Sequence, residues 1–245
     1  MPVVVVTGTS TDVGKTVASA ALAAVAAKAG QNVLLCKPVQ TGLRDGEPGD
    51  ADEAARLCGA EAVEFVRYAD PLSPVVAARR CGRRLWSCQE LADKVEQLAR
   101  SRFVVVEGAG GVLVRIGSQN ATVLDLAALV RAPMIVVTSA ELGALNHAEL
   151  TVNAIRAAGV EVAGLVVGSW PHEPQLAHVT NLDAFFEHTG AKTLGKIPAQ
   201  AAALRPDMFQ SQAPGWFLGS GLHKLWQTGS AEEQKNRGGL KERTQ

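Results

Sequence analysis

Net charge is the first thing this sequence lacks. Its 245 residues balance 24 Lys and Arg against 24 Asp and Glu. A neutral chain exerts no general pull on a polyanion, which argues against nucleic acid as a partner and leaves open only a local basic patch. Cysteine pairing is missing too: Cys36, Cys58, Cys81 and Cys88 form no CxxC, and no His stands at ligand spacing to them. That argues against zinc and reads as free thiols in a reducing compartment. No apolar run reaches the roughly 18 residues of a membrane span. The opening MPVVVVTG has no basic segment, and its apolar run is too short for a secretory leader. These absences predict a soluble, cytoplasmic protein with no nucleic acid and no membrane among its partners. There is also no internal repeat and no compositional break marking a second domain.

What is present is alternation. Val3–Thr7, Val33–Lys37, Phe103–Glu107, Met134–Thr138 and Val162–Val167 are short, nearly continuous apolar runs, with Lys192–Ile197 a weaker sixth. Strands buried on both faces of a parallel sheet read this way. Between them lie helical patterns over Lys15–Ala29, Asp50–Cys58, Glu90–Ser101, Val123–Val130, Leu145–Ala158 and Leu176–His188. Gly30 and Gly159 follow two of these as C′ residues. Ser87 precedes Glu90 by three, the spacing of a capping box. The prediction is an α/β fold, a doubly wound, mostly parallel sheet with helices on both faces. It would form one domain over residues 1–229, followed by a polar, mobile tail, 230–245, too poor in apolar surface to offset its ordering entropy. Binding sites in such sheets lie beyond the carboxyl ends of the strands.

The most specific local motif is GTSTDVGKT, in which Gly8, Gly14, Lys15 and Thr16 satisfy G-x-x-x-x-G-K-[ST] between a strand and a helix. Glycines let the backbone wrap closely, and successive N–H groups at a helix N-terminus surround an anion. The nucleotide segment is therefore Asp12, Val13, Gly14, Lys15, Thr16 and Val17, with Lys15 reaching the terminal phosphates and Thr16 able to bind Mg²⁺. A metal needs carboxylates. Glu107 ends the strand in FVVVEGAGG, and Asp50 and Asp52 open a helix. Both aspartates also suit helix capping, so the choice between them stays open. Asp12, inside the loop, would repel phosphate unless a metal intervened. The bare residues Gly108, Ala109, Gly110 and Gly111 would let backbone approach phosphate or substrate.

A second lysine is placed with equal care. In VLLCKPVQTG, Pro38 restricts Lys37 to extended backbone, so Lys37 is fixed on a rigid strand end. The P-loop lacks the early lysine of partition and septum-positioning ATPases. The only dense arginine cluster, Arg79, Arg80, Arg83 and Arg84, reads as a solvated helix face rather than a kinase lid.

GTSTDVGKT, CKPVQTG, VVVEGAGGVLV, TSAELGALNHAELT and VVGSWP together resemble the dethiobiotin synthetase family, in order and spacing, over most of residues 1–200. The resemblance implies a P-loop ligase using ATP and Mg²⁺. Its substrates would be 7,8-diaminononanoate and CO₂ or bicarbonate. A carbamate and a carbamic–phosphoric anhydride would precede closure of the cyclic urea. It implies catalysis by Lys15 and Lys37, Mg²⁺ on Thr16, Asp50 (or Asp52) and Glu107, and substrate contacts from Thr11, Thr41 and Gly111. It further implies a homodimer whose interface shapes the substrate site at Leu145 and Asn146; His147 beside them reads as a surface residue. Base contacts would come from Gly168 and Ser169 after the fifth strand, beside Trp170, and from Ile197, Pro198 and Ala199 after the sixth. An amidoligase of the cobyrinate type is the nearest alternative, but the chain carries no segment resembling its glutaminase domain. A switching ATPase is the non-enzymatic one.

Overall fold

The strand β1 (Val3–Gly8) is buried along its whole length. Alternate side chains feed opposite faces. Val3 and Val5 enter one core, while Val4 and Val6 enter another. This two-sidedness is why the run is apolar without interruption. The computed structural model describes residues 2–218 and 222–227. The predicted mobile tail, 230–245, lies outside the described residues.

After β1 come α1 (Lys15–Lys28), β2 (Val33–Thr41), α2 (Asp50–Cys58), β3 (Glu61–Tyr68), α3 (Pro74–Arg80), α4 (Cys88–Ala99) and β4 (Phe103–Gly111). The chain continues through α5 (Val123–Leu129), β5 (Met134–Thr138), α6 (Ala144–Ala157), β6 (Val162–Trp170), α7 (Leu176–Thr189), β7 (Thr193–Pro198), α8 (Pro206–Gln212) and α9 (His223–Gln227). The strands form one sheet in the order β3-β2-β4-β1-β5-β6-β7, and every neighbouring pair is parallel. One core contains side chains of α3 to α7; the other contains those of α1, α2, α8 and α9. The sheet is thus doubly wound, as its sequence predicts. The chain reverses its direction of travel across the sheet about β1 and β4, and a crevice opens there at the carboxyl ends.

Four elements depart from expectation. β3 is an additional strand at the edge, reading EAVEFVRY, and it escapes a search for continuous apolar runs because an edge strand alternates. Its partly exposed pattern matches that position. The short helices α3 and α8 both open on proline, Pro74 and Pro206. β4 runs on through Glu107 to Gly111, because Gly111 continues the ladder opposite Gly8. The predicted capping box is present: Ser87 Oγ accepts the Glu90 N–H at 3.2 Å, and Glu90 accepts the Ser87 N–H at 2.8 Å. The arginine cluster is partly engaged, with Arg80 on Asp70 and Arg84 on Glu90, each at 2.8 Å.

Candidate active site

The β2–β4 ladder stops at Cys36, opposite Val106. Pro38, with no N–H to donate, lies just beyond that stop, where β4 asks nothing of it. The two strands separate there, and side chains take over from backbone hydrogen bonds. Lys37 Nζ donates across the gap to Glu107 Oε1 at 2.8 Å and to the Gly108 carbonyl at 3.2 Å. It also lies 2.6 Å from Asp50 Oδ2. An ammonium has three donors, and here all three are engaged. Burial pushes the Lys37 pKa down, but Glu107 and Asp50 outweigh it and hold it above the usual lysine value. Lys37 is only 3% exposed, so it does not snorkel to solvent.

The P-loop closes the other side. Gly14 caps α1 with φ 92°, a left-handed conformation that glycine adopts without a Cβ penalty. A Cβ there would also stand 2.5 Å from the Gly168 carbonyl oxygen. Lys15 Nζ donates to the Ser10 carbonyl at 2.9 Å. Its pKa is lowered, first by burial and then by Lys37. The Thr16 hydroxyl donates to Glu107 Oε1 at 3.0 Å, so the P-loop and β4 meet at this carboxylate.

These groups line a cavity of about 420 Å³. It gathers Thr11, Asp12, Gly14, Lys15, Thr16, Val17, Lys37, Thr41, Asp50, Glu107, Ala109 and Gly110, and adds Val39 and Gln40, which sequence reasoning missed. Gln40 is buried, and its Oε1 accepts the Asp50 N–H at 3.1 Å. The signal available was a glutamine inside an apolar strand motif. The two helix-opening aspartates divide their work: Asp50 faces Lys37, whereas Asp52 Oδ2 accepts the Gly49 N–H at 2.8 Å as a cap.

The remaining predicted residues lie outside the cavity lining. Val13 and Gly168 meet where the P-loop touches the end of β6, and a Cβ at Gly108 would press on Val123. Gly111 belongs to the β1–β4 ladder. Ser169 is exposed, Ile197 is buried in the sheet, and Pro198 and Ala199 are exposed at its edge. Ala199 N–H bonds the Trp170 carbonyl at 2.7 Å. Leu145 is half-buried, and Asn146 and His147 are exposed, in the first turn of α6.

The donor set fits a hard divalent cation held partly by phosphate. Glu107 Oε2 is buried and has no hydrogen-bond partner, and the Thr16 hydroxyl and Asp50 stand beside the same Glu107–Lys37 pair. Among the described residues no three His, Cys, Asp or Glu side chains converge. Mg²⁺ binds through one or two carboxylates plus substrate phosphates, and Glu107 and Asp50 are the carboxylates that could serve it here. Among the described residues no helix is long and apolar enough to cross a membrane.

The sequence pattern of the AAA domain matches residues 3–206. The ATP-dependent dethiobiotin synthetase BioD of Rhodococcus jostii is 50% identical over 219 residues, covering 89% of this chain and 95% of that protein. The enzyme of the same name from Streptomyces coelicolor is 49% identical over 219 residues, covering 89% of this chain and 92% of its own. The MinC:MinD cell division protein complex of Aquifex aeolicus superimposes with a TM-score of 0.51 at 13% identity, over 86% of this chain and 85% of that one. At that identity the likeness speaks for the fold alone.

Proposed function

The chain belongs to the dethiobiotin synthetase family, and on that premise we propose that its cavity closes the cyclic urea of dethiobiotin from 7,8-diaminononanoate, CO₂ and ATP. The observation that carries this reading is the buried Lys37, which shares one cavity with the P-loop Lys15. Generic nucleotide binding asks only for the second of these.

One substrate amine takes up CO₂ and loses a proton, giving a carbamate. A carbamate oxygen then attacks the γ-phosphorus, and ADP leaves. The second amine attacks the carbonyl carbon of the mixed anhydride, phosphate leaves, and the ring closes. The main obstacle is the approach of two anions, so fixed cations and positioning supply most of the catalysis. Lys15 holds the transferring phosphoryl group. Lys37 sits between carbamate and phosphoryl group. It exchanges its partner Asp50, whose side chain is 40% exposed, for substrate oxygen, and keeps the buried Glu107. Thr11 and Thr41 lie on the cavity wall where the amine or carbamate would bind. Thr16, Asp50 and Glu107 would hold Mg²⁺, which neutralises triphosphate charge when bound. Ala109 and Gly110 present backbone to the same space.

The base would lie toward the ends of β6 and β7, at Ser169, Trp170 and Pro198–Ala199. A homodimer is part of the same reading. Leu142 is 92% exposed and Leu150 62% exposed on α6 and the loop before it. A second copy covering them would sit beside Leu145 and Asn146, where the substrate's carboxylate end is placed. The reading carries with it a cytoplasmic enzyme.

The decisive experiment measures ADP and dethiobiotin with and without diaminononanoate and bicarbonate. The synthetase reading expects ADP formation to require both and to match dethiobiotin in amount. ADP release indifferent to the diamine would indicate a switching ATPase and overturn it.

A further inference from the structure

The acid Asp50 enters the cavity from the end of a loop that has little to hold it. Residues 44–48 are exposed, and the stretch TGLRDGEPGD is short of apolar side chains. Among the described residues, every hydrogen bond that reaches residues 43–48 from outside the loop comes from one side chain, Arg67 on the edge strand β3. Its Nη1 donates to the Arg44 carbonyl at 2.9 Å and to the Glu47 carbonyl. Its Nε donates to Glu64 Oε2 at 2.9 Å, and its Nη2 lies 2.7 Å from the same oxygen. The second face of Nη2 looks toward Asp52 Oδ2 at 3.7 Å, the oxygen that caps the Gly49 N–H.

The fit at Gly49 is tight. A Cβ there would fall on the Glu64 carboxylate and stand 2.9 Å from Arg67 Nη2. The residue immediately before Asp50 is thus pressed against the Arg67–Glu64 pair, whose side chains are only 15% and 14% exposed. Register links this to the site: Glu64 stands opposite Lys37 and Arg67 opposite Gln40 in the β2–β3 ladder. Gln40 takes the Asp50 N–H, and Arg67 takes the loop and the cap. A planar guanidinium suits the task, since it offers five donors in a rigid fork and cannot lose its charge.

We propose that Arg67, seated on Glu64, is a positioning residue for the reaction: it braces the 43–49 loop from the sheet edge so that Asp50 meets Lys37 and the nucleotide-borne cation. It touches no reacting atom. The proposal rests on the reading of Asp50 as an active-site acid.

The test is a double-mutant cycle on the full chain, read by calorimetry rather than turnover. Binding of a non-hydrolysable ATP analogue is measured with Mn²⁺ and again in EDTA, for wild type, Arg67→Gln, Asp50→Asn and the double variant. Removing a partner that orients a metal ligand typically costs about 10- to 100-fold in metal affinity. Arg67→Gln should therefore weaken Mn²⁺-dependent binding about tenfold and leave the EDTA value unchanged. In the Asp50→Asn background the same change should have almost no effect. Equal losses in both backgrounds, or an equal loss in EDTA, would make Arg67 a merely structural residue and overturn the brace. If Asp50→Asn binds the analogue with Mn²⁺ as tightly as wild type does, the premise about Asp50 fails instead, and the brace with it. Should Arg67→Gln not fold, Gly49→Ala pushes on the same pair from the loop side and runs the same cycle.

Discussion

Gly168 and Val13 share a contact that admits no side chain: a Cβ on Gly168 would overlap the Val13 carbonyl oxygen. The end of β6 thus supports the P-loop through backbone alone, and the predicted base-binding glycine does its visible work one step earlier, in the shape of the phosphate cradle. Gly168→Ala forces one side to move. Overpacking costs about 1–3 kcal/mol, and the loop is expected to be the side that moves. We expect nucleotide affinity to fall at least about tenfold with a melting temperature lowered by a few degrees. Unchanged affinity would mean that the strand end gives way and the P-loop does not depend on it.

Lys37→Gln tests the proposed catalytic cation. Turnover should drop by at least about 10²-fold, the scale of a lost transition-state charge contact, while nucleotide affinity stays within about threefold. Lys15 and the loop amides, proposed to hold the phosphates, keep their own side chains and backbone in this variant. Single-turnover kinetics together with nucleotide titration separate the two quantities. Turnover near wild type would remove Lys37 from the mechanism.

The same lysine makes a prediction about pH. Its folded pKa lies above the ordinary 10.5, with burial opposing and Glu107 and Asp50 prevailing. A raised value means that the charged form is favoured by folding. The stabilisation is complete below pH 10.5 and is lost as pH climbs through the folded value. Lys15, whose value is lowered by burial and then by Lys37, works in the opposite sense, and Lys37→Gln relieves the second of these causes. The difference in melting temperature between wild type and Lys37→Gln should be constant from pH 8 to about 10 and begin to narrow above 10.5. A gap as wide at pH 11.5 as at pH 8 would show that the Lys37–carboxylate cluster does not hold its proton more tightly in the fold.

Leu142→Asp addresses assembly. An isolated leucine at 92% exposure is unremarkable, but with Leu150 close in sequence it sits where the proposed partner subunit would lie. Light scattering should give twice the chain mass for wild type and the chain mass for the variant, with KM for the diamine raised and nucleotide affinity retained. A wild type that is monomeric at micromolar concentration would end the dimer proposal.

Much of this molecule was legible residue by residue. The P-loop, the alternation of apolar runs and Ala-rich helices, and the Ser87–Glu90 cap are written in neighbours a few positions apart, where glycine, proline and periodicity act directly. Lys37 was legible for the same reason, because Pro38 restricts it locally. The edge strand β3 was not, because its alternating EAVEFVRY depends on which neighbour covers it. Nor was the assignment of two aspartates two residues apart: both suit a helix start, and only the approach of β2 and β3 turns Asp50 to Lys37 and leaves Asp52 to cap Gly49.

The sequence alone determined which chemical groups are available and near which strand ends they emerge, since backbone preference and side-chain period are local properties. Tertiary structure alone decided which of those groups touch. Glu107 receives both Lys37 and Thr16 across 70 and 91 residues of chain, and Arg67 reaches the Arg44 and Glu47 carbonyls across 23 and 20. Contacts at such separations are set by sheet order and packing, which no short stretch of residues encodes.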